Sequence, residues 1–167
     1  MPLKIVSAST TMQVALDTAM LAALVDGQDK WHADAVGIRD ALKAAGAETF
    51  YLDCVINEVT SVLGRRLIEQ KRADQFIGLL NVLEQVVPPD RITWVSPEIP
   101  RLYSQIMTLV RTHGGQLNFH DALIALACQE LGIGYIASFD CDFDCIAWLR
   151  RLGTANDVPQ QPATGKD

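Results

Sequence analysis

The sequence is short of the features that define several common protein classes. It has 4 cysteines in 167 residues, too few for a disulfide scaffold. None of Cys54, Cys128, Cys141 and Cys145 stands in a CxxC zinc pattern, so they read as reduced thiols of a cytoplasmic protein. Only 3 histidines are present, and no His or Cys occurs at metal-ligand spacing. Basic residues are outnumbered, with 14 Lys and Arg against 20 Asp and Glu and a net charge of −6. A passive nucleic-acid binder held by bulk electrostatics needs the reverse, so any contact with a polyanion has to be local or metal-assisted. No apolar run reaches membrane-spanning length. The first residues carry one Lys, a polar SASTT stretch and an apolar segment broken by Asp17, without the uninterrupted hydrophobic region of a secretory signal. Internal repeats and long linkers are also missing.

What is present is a core. A hydrophobic content of 49% is enough for one domain of ordinary size. The pattern predicts an extension at 1–12, a domain over 13–155 and a mobile polar tail at 156–167. QVALD reads as a strand running into the helix TAMLAALVD, and WHADAVGIRDALKAAG as a helix stopped at Gly46. ETFYLD is a second strand. Apolar stripes then predict helices over 55–69 and 76–87, the latter broken by Pro88-Pro89. RITWVS is a third strand candidate, and Pro97 and Pro100 open a helix that runs to Gly114-Gly115. FHDALIALACQELG is apolar nearly all round, as a helix buried on a sheet should be, and GYIASFD follows as a strand. DCIAWLRRLG is expected to form a last short helix. Alternating strands and helices imply an α/β fold, a three-layer α/β/α domain on a mainly parallel sheet of four to five strands.

In such a sheet the carboxyl ends of the strands line one edge, where ligands bind. Asp17 closes the first strand, Asp140 the last, Glu58 lies in the opening turns of the helix after strand two, and Asp121 begins the buried helix. Gathered there, like charges repel by on the order of 4 kcal/mol per close pair at an effective dielectric of about 20. A cation should compensate, and oxygen-only ligands favour Mg²⁺ or Mn²⁺ over Zn²⁺. Singly, each acid has a plainer reading: Asp17 and Asp140 as helix caps, Glu58 as a partner of the helix dipole, Asp121 as half of a capping arrangement with Asn118.

The words around these acids add to the argument. LDTAMLAALVD, QDKWHADA, INEVTSVLGRR, LNFHDALIALACQELG and ASFDCDFD, spread over about residues 13 to 152, resemble the successive signature segments of the PIN-domain family, including VapC-type toxins. The resemblance implies a metal-dependent ribonuclease acting on single-stranded RNA, with Asp17, Glu58, Asp121 and Asp140 as the site and Asp142 as an accessory metal ligand. It also implies a homodimer, for which the helices of 57–87 offer a face, and a small antitoxin that covers the acidic rim by inserting an Arg. The family often has Asn two places after the first Asp, where Ala19 stands. A PIN-like module that binds RNA or protein without cutting is the alternative.

Rival motifs fail on their own terms. DCDFDC puts Cys145 at the sixth position and Arg151 at the twelfth of a calcium loop, which demands Gly and Glu. A phosphatase-type DxD nucleophile should open its fold, and here it comes near the end. Asp144 is read as a cap of the last helix. His120 is set about 100° around its helix from Asp121 and is left out of the catalytic set. Ser138 and Thr18 are candidates to hydrogen-bond a carboxylate or water. Arg65 is two turns beyond Glu58 and a candidate phosphate ligand or merely a solvated cation. Trp31 and Trp94 are read as core or interface residues.

Overall fold

The computed structural model of the chain describes residues 11–160. Strands β1 (Gln13–Leu16), β2 (Glu48–Leu52), β3 (Ile92–Thr93), β4 (Tyr135–Ala137) and β5 (Arg150–Leu152) form one parallel sheet in the order β3-β2-β1-β4-β5. The helices are α1 (Thr18–Val25), α2 (His32–Ala44), α3 (Asp53–Glu69), α4 (Phe76–Val86), α5 (Ile99–Thr112) and α6 (Phe119–Leu131). A parallel sheet must be covered on both faces, and the strands divide their residues accordingly. Val14, Leu16 and Ala137 join Met20, Ile38 and Leu42 of α1 and α2 on one side. Ala15, Leu52 and Ile136 join Val59, Leu102 and Leu123 of α3, α5 and α6 on the other. Helix α1 feeds both clusters, Leu21 and Val25 to one and Met20 and Leu24 to the other. That is why its sequence carries no polar face.

Helix α6 is buried continuously from Asp121 to Cys128. Each large apolar side chain so buried contributes about 1.5–3 kcal/mol. Its N-terminus is held by a capping box between Asn118 and Asp121, and its end by Gly132 at φ 73°, a left-handed position that turns the chain into β4.

Three stretches differ from expectation. Of RITWVS only Ile92 and Thr93 pair in the sheet, because the buried Asp53 carboxylate accepts the N–H of Val95 at 2.8 Å and of Ser96 at 3.2 Å and turns the chain away. DCIAWLRRLG is not a helix. It folds as a 3-10 turn over Cys141–Cys145 followed by β5, whose Arg150–Leu152 pair in register with Tyr135–Ala137. The indole of Trp148 donates to the Ala125 carbonyl at 3.0 Å, which ties this segment down onto α6. Beyond residue 155 the chain continues in a 3-10 turn, Ala155–Asp157, and buries Val158 among the residues of α2; residues 161–167 and the first ten lie outside the described residues. Neither Trp31 nor Trp94 belongs to the core, with 41% and 63% of their surfaces exposed.

Candidate active site

The strand order reverses at β1, whose neighbours β2 and β4 lie on opposite sides, and this is the switch point at which open α/β sheets bind ligands. Asp17 leaves the C-terminal end of β1 there, its N–H donating to the Ala137 carbonyl at 3.0 Å across the seam with β4. Its carboxylate accepts from the Thr18 N–H at 2.6 Å and from the Ser138 hydroxyl at 2.7 Å. Ser138 in turn accepts the N–H of Asp140 at 2.9 Å, so one buried hydroxyl ties Asp17, next after β1, to Asp140, three residues beyond β4. From the other side the Thr18 hydroxyl donates to Glu58 Oε2 at 2.7 Å, anchoring α3 to the first turn of α1. Asp121 uses one oxygen to take the Asn118 N–H at 3.2 Å, and Asp140 uses one for the Asp142 N–H at 2.9 Å. The capping roles read from sequence for Asp17, Asp121 and Asp140 are therefore real, and they leave lone pairs over on each acid.

The charges of these residues act on one another. Burial pushes the Asp17 carboxyl above the usual carboxylate range; the Ser138 and Thr18 hydrogen bonds oppose this, and Glu58 and Asp140 add to it. Burial likewise pushes Asp121 up to about 6, against the Asn118 hydrogen bond and with help from Asp17, Asp140 and Glu58. Among the described residues no Lys or Arg forms an ion pair with any of the four. A cluster of oxygen donors without a resident cation is the chemistry that a hard divalent ion fits. Among the described residues no three His, Cys, Asp or Glu side chains converge on a common point as they stand.

The remaining candidates are placed as follows. Asp142 is partly buried and accepts from Gln116 Nε2 at 3.2 Å. Asp144 does not cap a helix; it forms a two-bond pair with Arg151 at 2.8 and 2.9 Å, since the helix it was expected to cap is absent. Arg65 is exposed on α3 without an ion-pair partner among the described residues. His120, set aside on helical geometry, turns out to face Glu58, with Nε2 3.0 Å from Oε2. The approach lies off the ring's N–H direction and makes no hydrogen bond. His120 stands to one side of Asp121 on α6, and Glu58 arrives from α3 on that side, which no spacing within α6 could show.

The fold is an α/β sheet with a carboxylate cluster around its switch point, two members of which burial pushes above the usual carboxylate range. The PIN domain model matches residues 14–149, and the chain belongs to the PIN-domain family. No curated protein matches the sequence. Among solved structures the chain is similar to VapC20 of Mycobacterium tuberculosis, a sarcin-ricin loop cleaving toxin, with 20% identity, 81% of this chain and 95% of that one covered, and a TM-score of 0.62. It is also similar to VapBC2 from Rickettsia felis bound to a DNA fragment from their promoter, with 16% identity, 84% and 98% covered, and a TM-score of 0.60. A third is FitAcB from Neisseria gonorrhoeae, with 17% identity, 84% and 96% covered, and a TM-score of 0.53. At these identities the likeness is one of fold.

Proposed function

We propose that the chain is a divalent-metal-dependent endoribonuclease that hydrolyses phosphodiester bonds of single-stranded RNA, and that it is the toxin of a VapBC-type pair. The observation that carries the reading is that Asp17, Asp121, Asp140 and Glu58 lie near enough around the switch point to act on one another's charge, with burial and mutual repulsion raising the first two. Asp17, Asp121 and Asp140 would hold Mg²⁺ or Mn²⁺, with Asp142 approaching through water. When bound, the ion supplies charge to offset that of the phosphodiester and makes a water more acidic. The residues do the rest. Ser138 and Thr18 hold Asp17 and Glu58 in register. Glu58 Oε2 is occupied by Thr18, with His120 close by, leaving Oε1 to accept a proton from the attacking water. Attack in line with the departing oxygen gives hydrolysis without a covalent enzyme intermediate. Arg65 on the same helix holds a phosphate further along the strand.

The toxin assignment draws on the fold shared with VapC20 and with the VapBC2 complex. It carries with it a small antitoxin that places an Arg among the carboxylates, a homodimer through the helices of 57–87, and a cytoplasmic location. Among the described residues no helix is long and apolar enough to cross a membrane. A labelled single-stranded RNA incubated with the chain and Mn²⁺ tests the reading. Asp17→Asn and Asp121→Asn should each slow cleavage by roughly a hundredfold or more, and unchanged rates would sink it. The splayed spacing of the acids favours one rival, a PIN-like module that binds without cutting. Titration with Mn²⁺ separates the two, because a module of that kind shows no saturable binding near neutral pH.

A further inference from the structure

Trp31, the residue before α2, lies with its ring on Phe139, centroids 5.0 Å apart and planes 13° from parallel. Phe139 is partly buried among the side chains of α1 and α2, so the indole rests on a fixed support. Even so, 41% of Trp31 faces solvent. The Lys30 ammonium sits 5.2 Å from the centre of the indole, a cation–π distance. Phe139 is covalently next to Asp140, so this aromatic pair begins one residue from the acidic rim.

Trp31 also borders a cleft of about 380 Å³ shared with Gln28, Lys30, Arg66 and Gln70. The two acids of that cleft are already neutralised, Asp29 by Arg66 at 2.7 Å and Asp26 by Arg72 at 2.8 Å. Lys30 has no ion-pair partner among the described residues, so its charge is the uncompensated one there. The lining is charged and amide-bearing apart from the indole. Such a surface offers no apolar bed for a peptide helix. With one indole face on Phe139 and the Lys30 ammonium over the ring, a base reaches the π-face when Lys30 turns aside to a phosphate, and two primary amides stand ready to meet a base edge.

Resting on the ribonuclease reading, we infer that Trp31, supported by Phe139, is a stacking subsite for an unpaired nucleobase beside the scissile phosphate, with Lys30 receiving a neighbouring phosphate. Stacking tolerates every base, so the subsite adds affinity for single strands without choosing a sequence.

The test uses the full chain carrying Glu58→Gln, with Mn²⁺ present, and a short unstructured RNA in which 2-aminopurine is moved along the strand. One position should lose fluorescence on binding. Trp31→Leu should restore that fluorescence and weaken binding about tenfold, Trp31→Phe should recover part of both, and an RNA with an abasic ribose at that position should bind the parent and Trp31→Leu equally. The inference is overturned if no position is quenched, or if Trp31→Leu loses as much on the abasic strand as on the intact one, the signature of a structural or peptide-docking role. Should Trp31→Leu fail to fold, the quench in the protein with Trp31 intact still decides. RNA binding by the Glu58→Gln chain and Mn²⁺-dependent cleavage by the chain with Glu58 intact, both persisting without dependence on Trp31, remove the subsite alone. An absence of both removes the ribonuclease reading with it.

Discussion

The metal-free chain should become more stable as the pH falls from about 7 to about 5. Burial raises Asp121 from 3.8 to about 6, and Asp17 in the same direction. A carboxyl that holds its proton more tightly when folded favours folding wherever it is protonated. Its contribution is complete below 3.8 and is lost as the pH rises through about 6. At about 1.4 kcal/mol per tenfold change in proton affinity, Asp121 has a ceiling of about 3 kcal/mol, and partial solvent access trims this to on the order of 1–2 kcal/mol. For a chain of this length that is a rise in Tm of roughly 2–8 °C.

The acids held low behave oppositely but in another window. Asp26 is lowered by Arg72, Glu130 by Arg101, Asp144 by Arg151 and Asp157 by the Thr154 N–H, and all give up stability only below their ordinary values of 3.8 or 4.5. Thermal unfolding followed by circular dichroism in chelator, at several pH values between about 5 and 8, measures the effect. Asp121→Asn should match or exceed the parent near pH 7, lose the pH dependence due to this site, and fail to gain Tm when Mn²⁺ is added. A Tm difference between parent and Asp121→Asn that does not change with pH would refute the electrostatic account of the cluster.

Thr18→Val removes the hydroxyl that holds Glu58 Oε2 and should slow RNA cleavage roughly 10- to 100-fold while leaving Mn²⁺ affinity in place; a rate equal to the parent's would show that Glu58 needs no such support. Asp53→Ala strips the Val95 and Ser96 N–H groups of their acceptor. It should cost about 2 kcal/mol, visible as a fall in Tm, with little change in the rate at 25 °C, and an unaltered Tm would contradict the role given to Asp53 in turning β3. Arg65→Ala should weaken RNA binding and lower its dependence on salt by about one counterion; an unchanged salt slope would mark Arg65 as a solvated cation only.

Much of this molecule is legible along the chain. Apolar runs such as QVAL and the all-round apolar α6 announce a parallel sheet covered on both faces, because buried strands and buried helices cannot carry polar stripes. Asp17 and Asp140 follow strands, and strand ends in such a fold share an edge, so their place on one edge follows from topology alone. Other outcomes rested on partners distant in sequence. RITWVS has the composition of a full strand, yet the Asp53 carboxylate intercepts its N–H groups after two residues. DCIAWLRRLG has helical composition, yet hydrogen bonds to β4 and the Trp148 contact with Ala125 outweigh the weak propensity of so short a segment. The contact of His120 with Glu58 and the flat stack of Trp31 on Phe139 join residues from separate elements. Local periodicity reports which side of an element is apolar. Which two elements face each other is decided by packing of the whole chain, and with it the setting of every charge at the rim.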